Sequence, residues 1–425
     1  MTPSSPFVSF ETGISATGPW DQILPGPLLQ PHLLRNPAPL GSDAYWMTEA
    51  WNESLKNHGL SQPNPLVGCV LVDSKGTEIS RGATHPYPGI HAEKAAFNQV
   101  QNPQSLIGAT AYITLEPCSH QGRNPPCADL LASSGISRVV IARTDPNPQV
   151  NGEGIKKLLA AGKKLDIGVL AREITAWNLG FFTQQILRRP LIALKWAQTL
   201  DGQLADDSMT SQWISSSTSR AYAHWLRQNY DLVLVGAKTV ATDHPQLGVR
   251  ECLRPHQAEP LPIILDSSGL LFNQKKETQA LLKTKTLKAG RKCVLITTSS
   301  TLKRNPNSWL QKLEDLVILE QPENTPIAGL METLSGPDLK KILGRPVQSL
   351  LVEGGSQTLT RIISAGYGDI FHVFVAPTLT GGEKNRIAIQ KLLHQATRLK
   401  TISTAQLESD ILIEMISEEI ENRIF

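Results

Sequence analysis

Long apolar runs are missing from this 425-residue chain: none approaches the roughly 20 residues that a bilayer crossing needs, so no spanning helix is expected. Cysteine is scarce, with five residues at 69, 118, 127, 252 and 293, too few and too scattered for a disulfide scaffold. The odd count points to reduced thiols in a reducing compartment, the cytoplasm, and leaves metal ligation or catalysis open. Neither sign of charge is in large excess, since 41 Lys plus Arg against 38 Asp plus Glu gives a formal +3. That balance excludes a nucleic-acid binder held by bulk charge, though it leaves a local basic groove open. What is present is ordinary globular composition, 40% apolar and 19% charged. At roughly 150 residues per domain, the length supports two or three domains.

Residues 1–41 stand apart, with eight prolines and only Glu11, Asp21 and Arg35 charged. Such a stretch builds neither helix nor sheet and has little to bury, so it reads as a disordered extension or the product of an upstream start, with Met47 as an internal alternative. One arginine and no apolar core give little support to an organelle or secretory address, and none is assigned. From residue 42 a first unit runs to 172. Ser42 or Asp43 caps a helix through Met47, Ala50 and Trp51, then strands and helices alternate: strand 66–72, helix 91–100, strand 110–115, helix 128–134, strand 138–143, helix 154–161 and strand 165–169. Residues 181–189 read as a connector. Pro190 opens a second unit, 190–425, with strands at 191–196, 232–236, 262–266, 293–297, 316–319, 349–353 and 372–376. Alternation of this kind implies α/β domains built on mostly parallel sheets. The lysine-rich stretch 275–292 lacks interleaved aromatics and reads as a solvated helix and loop rather than a nucleic-acid patch.

The strongest chemical signal is His91-Ala92-Glu93, followed by Thr114-Leu115-Glu116-Pro117-Cys118 and Pro125-Pro126-Cys127. One imidazole and two thiolates suit tetrahedral zinc, and three protein ligands leave a fourth position for water. Glu93, two residues from His91, can sit beside the metal and move protons without ligating it. The H-x-E and P-C pieces match the pattern of zinc deaminases of nucleobases, with the two cysteines farther apart than C-x-x-C. Three other readings stay open: a Cys118–Cys127 disulfide, a structural zinc closed by His85 or His120, and His91 as a plain core histidine.

Together with Pro63-Asn64-Pro65-Leu66-Val67-Gly68, Asp145-Pro146-Asn147-Pro148 and Gly152-Glu153-Gly154-Ile155, these residues resemble the deaminase half of the bifunctional riboflavin-biosynthesis deaminase–reductase family. The resemblance implies a cytidine-deaminase-like α/β/α domain with zinc on His91, Cys118 and Cys127 and Glu93 as proton shuttle. It implies as substrate 2,5-diamino-6-ribosylamino-4(3H)-pyrimidinone 5′-phosphate, with Asn64 contacting the pyrimidine or capping its own loop. Ile90 stands where a proline is usual.

In the second unit, the residues alone show a strand running through Val352-Glu353 into Gly354-Gly355 and a helix, a place where backbone N–H groups can approach phosphate. It is not G-x-G-x-x-G, so no Rossmann fingerprint is read. This segment, Leu194–Gly202 and Ser211-Gln212-Trp213-Ile214 resemble the family's reductase half, which implies a dihydrofolate-reductase-like fold and NADPH. By that resemblance the nucleotide contacts fall on Ala197, Trp213, Thr239, Asp243, Ser267, Gly355, Ser356, Gln357, Thr358, Leu359, Thr360 and Arg361. Substrate contacts fall on Ser211, Arg227, Leu247, Arg250 and Glu353, with Lys195 as the polar partner of the reacting sugar. A guanidinium fork at 227 or 250 suits a phosphate. His244 and Gly248 depart from the family's aspartate and threonine, and Gly248 is expected to loosen its loop. Two rivals therefore stay open: a monofunctional deaminase with a degenerate second domain, and a nucleic-acid base deaminase. The family also leaves a homo-oligomer open; no nucleic acid or membrane partner is expected.

Overall fold

The Ser42 hydroxyl accepts the Tyr45 amide at 3.2 Å and so caps helix α1 (Asp43–Ser54), as the sequence predicts. The computed structural model describes residues 38–121, 125–148, 150–204, 214–250, 259–381, 387–389 and 397–425; most of the Pro-rich stretch, Ser211, Trp213 and Cys252 lie outside the described residues. Strand β1 (Gly68–Val72) is buried along its whole length, and β2 (Glu78–Ala83) returns antiparallel to it. The turn between them is fixed by Asp73, whose Oδ1 accepts the Lys75 and Thr77 amides at 2.8 Å each. The sequence reading has no strand at 78–83, because an edge strand with a polar face carries a weaker apolar signal than β1.

The first sheet continues through α2 (Ala92–Asn98), β3 (Thr110–Ile113), α3 (Cys127–Ser133), β4 (Arg138–Ile141), α4 (Glu153–Ala160) and β5 (Lys164–Ile167). Its order is β2-β1-β3-β4-β5, with β3, β4 and β5 parallel and β1 antiparallel to both neighbours. The mostly parallel sheet expected for this unit is therefore a mixed one. Nor is 181–189 a bare connector: α5 (Ala171–Trp177) and α6 (Leu179–Leu187) are helices, and Phe182 is 1% exposed.

The second sheet takes β6 (Leu191–Thr199), α7 (Ser217–Arg227), β7 (Leu232–Gly236), α8 (Ala237–Asp243), β8 (Leu261–Asp266), α9 (Lys276–Thr284), β9 (Cys293–Thr298), α10 (Ser299–Arg304) and β10 (Leu316–Gln321). Next come α11 (Ile327–Ser335), α12 (Pro337–Leu343), β11 (Ser349–Glu353), α13 (Ser356–Ser364), β12 (Ile370–Ala376), β13 (Leu399–Leu407), β14 (Asp410–Ser417) and α14 (Glu418–Ile424). The strand order is β10-β9-β8-β7-β11-β6-β12-β14-β13, parallel from β10 to β12, with β14 antiparallel to both neighbours. The chain runs outward from β7 to β10 and returns to insert β11 between β7 and β6. That reversal makes a topological switch point at the carboxyl ends of β7, β11 and β6, the position at which open α/β sheets bind their ligands.

The two sheets share core. Ile420 and Ile424 of α14 belong to one buried apolar cluster with Leu71, Ile113 and Leu158 of the first unit. Polar ties cross the same boundary: Gln348 Nε2 donates to the Pro63 carbonyl at 2.8 Å, and Arg172 pairs with Glu421 at 2.7 Å.

Candidate metal and reductase sites

His91 ends the loop before α2 as its N-cap, with extended backbone and a side chain that makes no capping hydrogen bond. Cys118 follows β3, and Cys127 opens α3. These three residues, 36 positions apart at most, place their ligand atoms within 4.8 Å of one another. The Cys118 and Cys127 Sγ atoms lie 3.5 and 3.6 Å from His91 Nδ1. The Cys127 amide donates to Cys118 Sγ at 3.3 Å. Among the described residues no disulfide joins the pair, and no fourth His, Cys, Asp or Glu enters the cluster: His85 and His120 are exposed outside it. An imidazole and two thiolates at this spacing fit zinc with an open position.

Glu93, on the first turn of α2, is 3% exposed. Burial pushes its carboxyl up to about 7, and the neighbouring Cys118 sulfur adds to the rise. The loop behind the cysteines hangs on a residue to which the sequence reading gave no role. Buried Glu116 accepts the amides of Asp145 (3.2 Å), Gly152 (3.0 Å), Gly154 (3.0 Å) and Ile155 (3.3 Å). At Gly154 a Cβ would stand 2.2 Å from the Pro117 carbonyl oxygen, so α4 starts this close to the ligand loop only with glycine there. Asn64 lies beside this unit's boundary with the second, lining a cavity with Trp177, Trp225, Tyr230 and Gln348.

In the second sheet, Lys195 of β6 and Glu353 of β11 are cross-strand neighbours. The Arg227 fork meets Glu353 with Nε–Oε1 at 2.5 Å and Nη2–Oε2 at 2.9 Å, the two side chains being 10% and 12% exposed. Burial alone would raise the Glu353 carboxyl, but Arg227 outweighs it and brings the group down to about 2. Burial also pushes the Lys195 amine down, against the pull of Glu353; its Nζ sits 5.4 Å from the Phe374 ring centroid. Arg227 is thus spent on a buried carboxylate, not left free as a fork for phosphate.

The glycine pair closes on the residues expected around it. A Cβ on Gly355 would meet Thr239 Oγ1 at 3.4 Å, and one on Gly354 would meet Thr358 Cβ at 3.0 Å. Leu359 and Thr360 face the core, leaving Gln357 and Arg361 exposed and Ser356 and Thr358 half-buried. Ala197 lies farther along β6, and Ser267 sits exposed after β8. Asp243 ends α8, exposed, while Leu247 is 1% exposed in the core.

The 244–250 loop is not loose. Gly248 is buried, and its carbonyl accepts Arg227 Nη1 at 2.9 Å. Arg291 donates to the Gln246 carbonyl at 2.6 Å and the Leu247 carbonyl at 2.9 Å, and Thr286 donates to the Pro245 carbonyl at 2.7 Å. The carbonyls of residues 245–248 are thus held by side chains from outside the loop. His224 Nδ1 lies 3.2 Å from the Gly248 carbonyl oxygen, and burial with Arg227 and Arg250 nearby brings the imidazole down to about 4. Neither Arg291 nor His224 carries a motif that a single sequence could reveal.

Residues 40–143 match the model of the cytidine and deoxycytidylate deaminase zinc-binding region, and residues 190–413 match the RibD C-terminal domain. The chain belongs to the RibD family. RibD of Aquifex aeolicus is 38% identical over 343 residues, covering 80% of this chain and 88% of that protein. The structure of Acinetobacter baumannii RibD superposes with a TM-score of 0.72 at 32% identity, over 88% of this chain and 98% of that one. A Thermotoga maritima deaminase/reductase gives 0.73 at 29% identity, with the same two coverages. As in RibD, the chain is a riboflavin-biosynthesis enzyme that joins a zinc-binding deaminase domain to a reductase domain. Among the described residues no helix is long and apolar enough to cross a membrane.

Proposed function

We propose that the chain hydrolyses the ring amine of 2,5-diamino-6-ribosylamino-4(3H)-pyrimidinone 5′-phosphate and then reduces the ribosyl group of the product to ribityl with NADPH. The observation that carries the first step is a buried glutamate beside a His-Cys-Cys cluster. The Thermotoga relative is described as a deaminase and reductase of these pyrimidine ribotides, which supports the substrate. The division into 42–172 and 190–425 is supported by one sheet lying within 68–167 and the other within 191–417.

His91, Cys118 and Cys127 would hold zinc, which when bound supplies the Lewis acidity that makes a water nucleophilic near neutral pH. Glu93 takes the proton of the attacking water and returns it to the departing amine, so that ammonia leaves and a ring carbonyl remains. Its burial excludes bulk water that would otherwise compete for that proton.

In the second site NADPH, when bound, supplies hydride. Gly354, Gly355 and the first turn of α13 offer backbone N–H groups to its phosphates, with Thr239 and Thr358 alongside. Lys195 would give O4′ of the sugar its proton as the C1′–O4′ bond, which a C1′–H bond replaces, opens. Glu353 keeps that ammonium charged and oriented, and Arg227 fixes Glu353. Arg250, at the end of the same loop, would contact the ribotide phosphate. The cytoplasm fits free thiols at 118 and 127 that must stay reduced to ligate. Chelation tests the division of labour: stripping zinc should stop ammonia release and leave NADPH oxidation on pre-deaminated substrate intact. Loss of both activities would count against two independent sites.

A further inference from the structure

The last residues of the chain reach the metal-ligand loop through one arginine. Arg143 follows β4, and its carbonyl accepts the Glu116 amide at 2.9 Å, which extends the β3–β4 ladder up to the residue two before Cys118. Its guanidinium turns the other way and donates through Nη2 to the Ile424 carbonyl at 2.7 Å, in the final turn of α14. It lies 5.8 Å from the centroid of buried Phe182, and it forms no ion pair among the described residues. Arg172 grips α14 from its other side, with Glu421 at 2.7 and 2.8 Å and the Phe425 ring centroid 4.6 Å away. Ile420 and Ile424 are buried between these grips. Glu116 then carries the connection onward, since its carboxylate gathers the 145–155 segment against the Cys118 loop.

We propose that Arg143 is a positioning residue for the Cys118 ligand loop, and that the terminal helix of the reductase half completes the deaminase site through it. The inference rests on the deaminase reading above. A half-buried cation satisfied by one carbonyl and one ring can hold the main chain at residue 143 only while α14 is docked. When the helix is lost, the guanidinium turns to solvent and the Glu116–Arg143 ladder bond loses its support. The metal loop then gains freedom that a bound ion must restrict.

The test uses the full, zinc-loaded chain with Arg143→Ala, Arg143→Lys and Arg172→Ala, the last loosening α14 without touching residues 116–118. Three quantities are read: zinc release to a chromophoric chelator, deaminase kcat, and NADPH oxidation on deaminated substrate as the control for folding. Removing an outer-shell partner typically costs ~10- to 100-fold in metal affinity or activity, so Arg143→Ala should speed zinc release about 10-fold and lower deaminase kcat comparably. The reductase rate should stay near wild type, Arg143→Lys should recover part of the loss, and Arg172→Ala should shift zinc release in the same direction. Unchanged zinc release in Arg143→Ala overturns the proposal, as does a parallel fall of both activities that lysine does not relieve. If the wild-type chain releases no ammonia while Arg143→Ala still sheds zinc faster, the deaminase reading fails and the positioning role stands.

Discussion

At Glu353, burial and a guanidinium pull in opposite directions, and the guanidinium prevails. The carboxyl titrates at about 2 in the folded chain against an ordinary 4.5, so its pairing contributes stability that is complete above 4.5 and lost as pH falls toward 2. His224 acts in an earlier window: held neutral down to about 4 against 6.5, it weakens the fold as pH falls from 6.5 toward 4. Thermal melts from pH 7.5 to 2.5 should therefore show two successive losses, with His224→Asn removing the upper one; a single acid transition unchanged by that substitution would refute the assignment. In the deaminase half, Glu93→Gln should lower ammonia release by at least ~100-fold with NADPH oxidation unchanged, measured on the same preparation. Motif residues such as His91, Cys118 and Glu93 were readable because the chemistry needs those side chains at short spacings. The Arg227–Glu353 pair was not, because 126 positions separate its members and each alone resembles any surface charge.

Elements differ in how strongly the sequence announces them. Strands β7, β8, β9 and β11 are buried on both faces and read as short apolar runs, whereas β2, β13 and β14 carry alternating polar residues that blur into loops. The helices α5 and α6 were missed as a pair because their boundary, at Asn178, looks like a turn. Asn178 instead spans elements, its Oδ1 accepting the Leu66 amide at 2.7 Å and its Nδ2 donating to the Leu66 carbonyl at 3.0 Å. Close packing at one glycine sets the position of the catalytic helix. A Cβ at Gly82 of β2 would stand 2.3 Å from the Ala96 amide nitrogen and 2.6 Å from the Ala92 carbonyl oxygen. Gly82→Ala should push α2 off the sheet, cost about 1–3 kcal/mol by overpacking, and reduce ammonia release more than NADPH oxidation. Equal losses in both rates would mean that α2 does not move alone.

For the whole molecule, the two halves share an apolar cluster and a docked terminal helix. Leu191, Gln348 and Ser349, at the amino ends of β6 and β11, line the cavity between the halves, while Lys195 and Glu353 pair at the carboxyl side of the same strands. The departures at His244 and Gly248, which in sequence alone argued for a degenerate half, sit in a loop that Arg227, Arg291 and Thr286 hold in place. A working reductase is therefore the central claim that most needs measurement. Freshly made diaminopyrimidinone ribotide should be given to the purified, zinc-loaded chain with NADPH, following ammonia and NADPH in one sample. The account predicts ammonia release followed by equimolar NADPH oxidation. Ammonia without NADPH oxidation would contradict the two-site reading and leave the second half a scaffold.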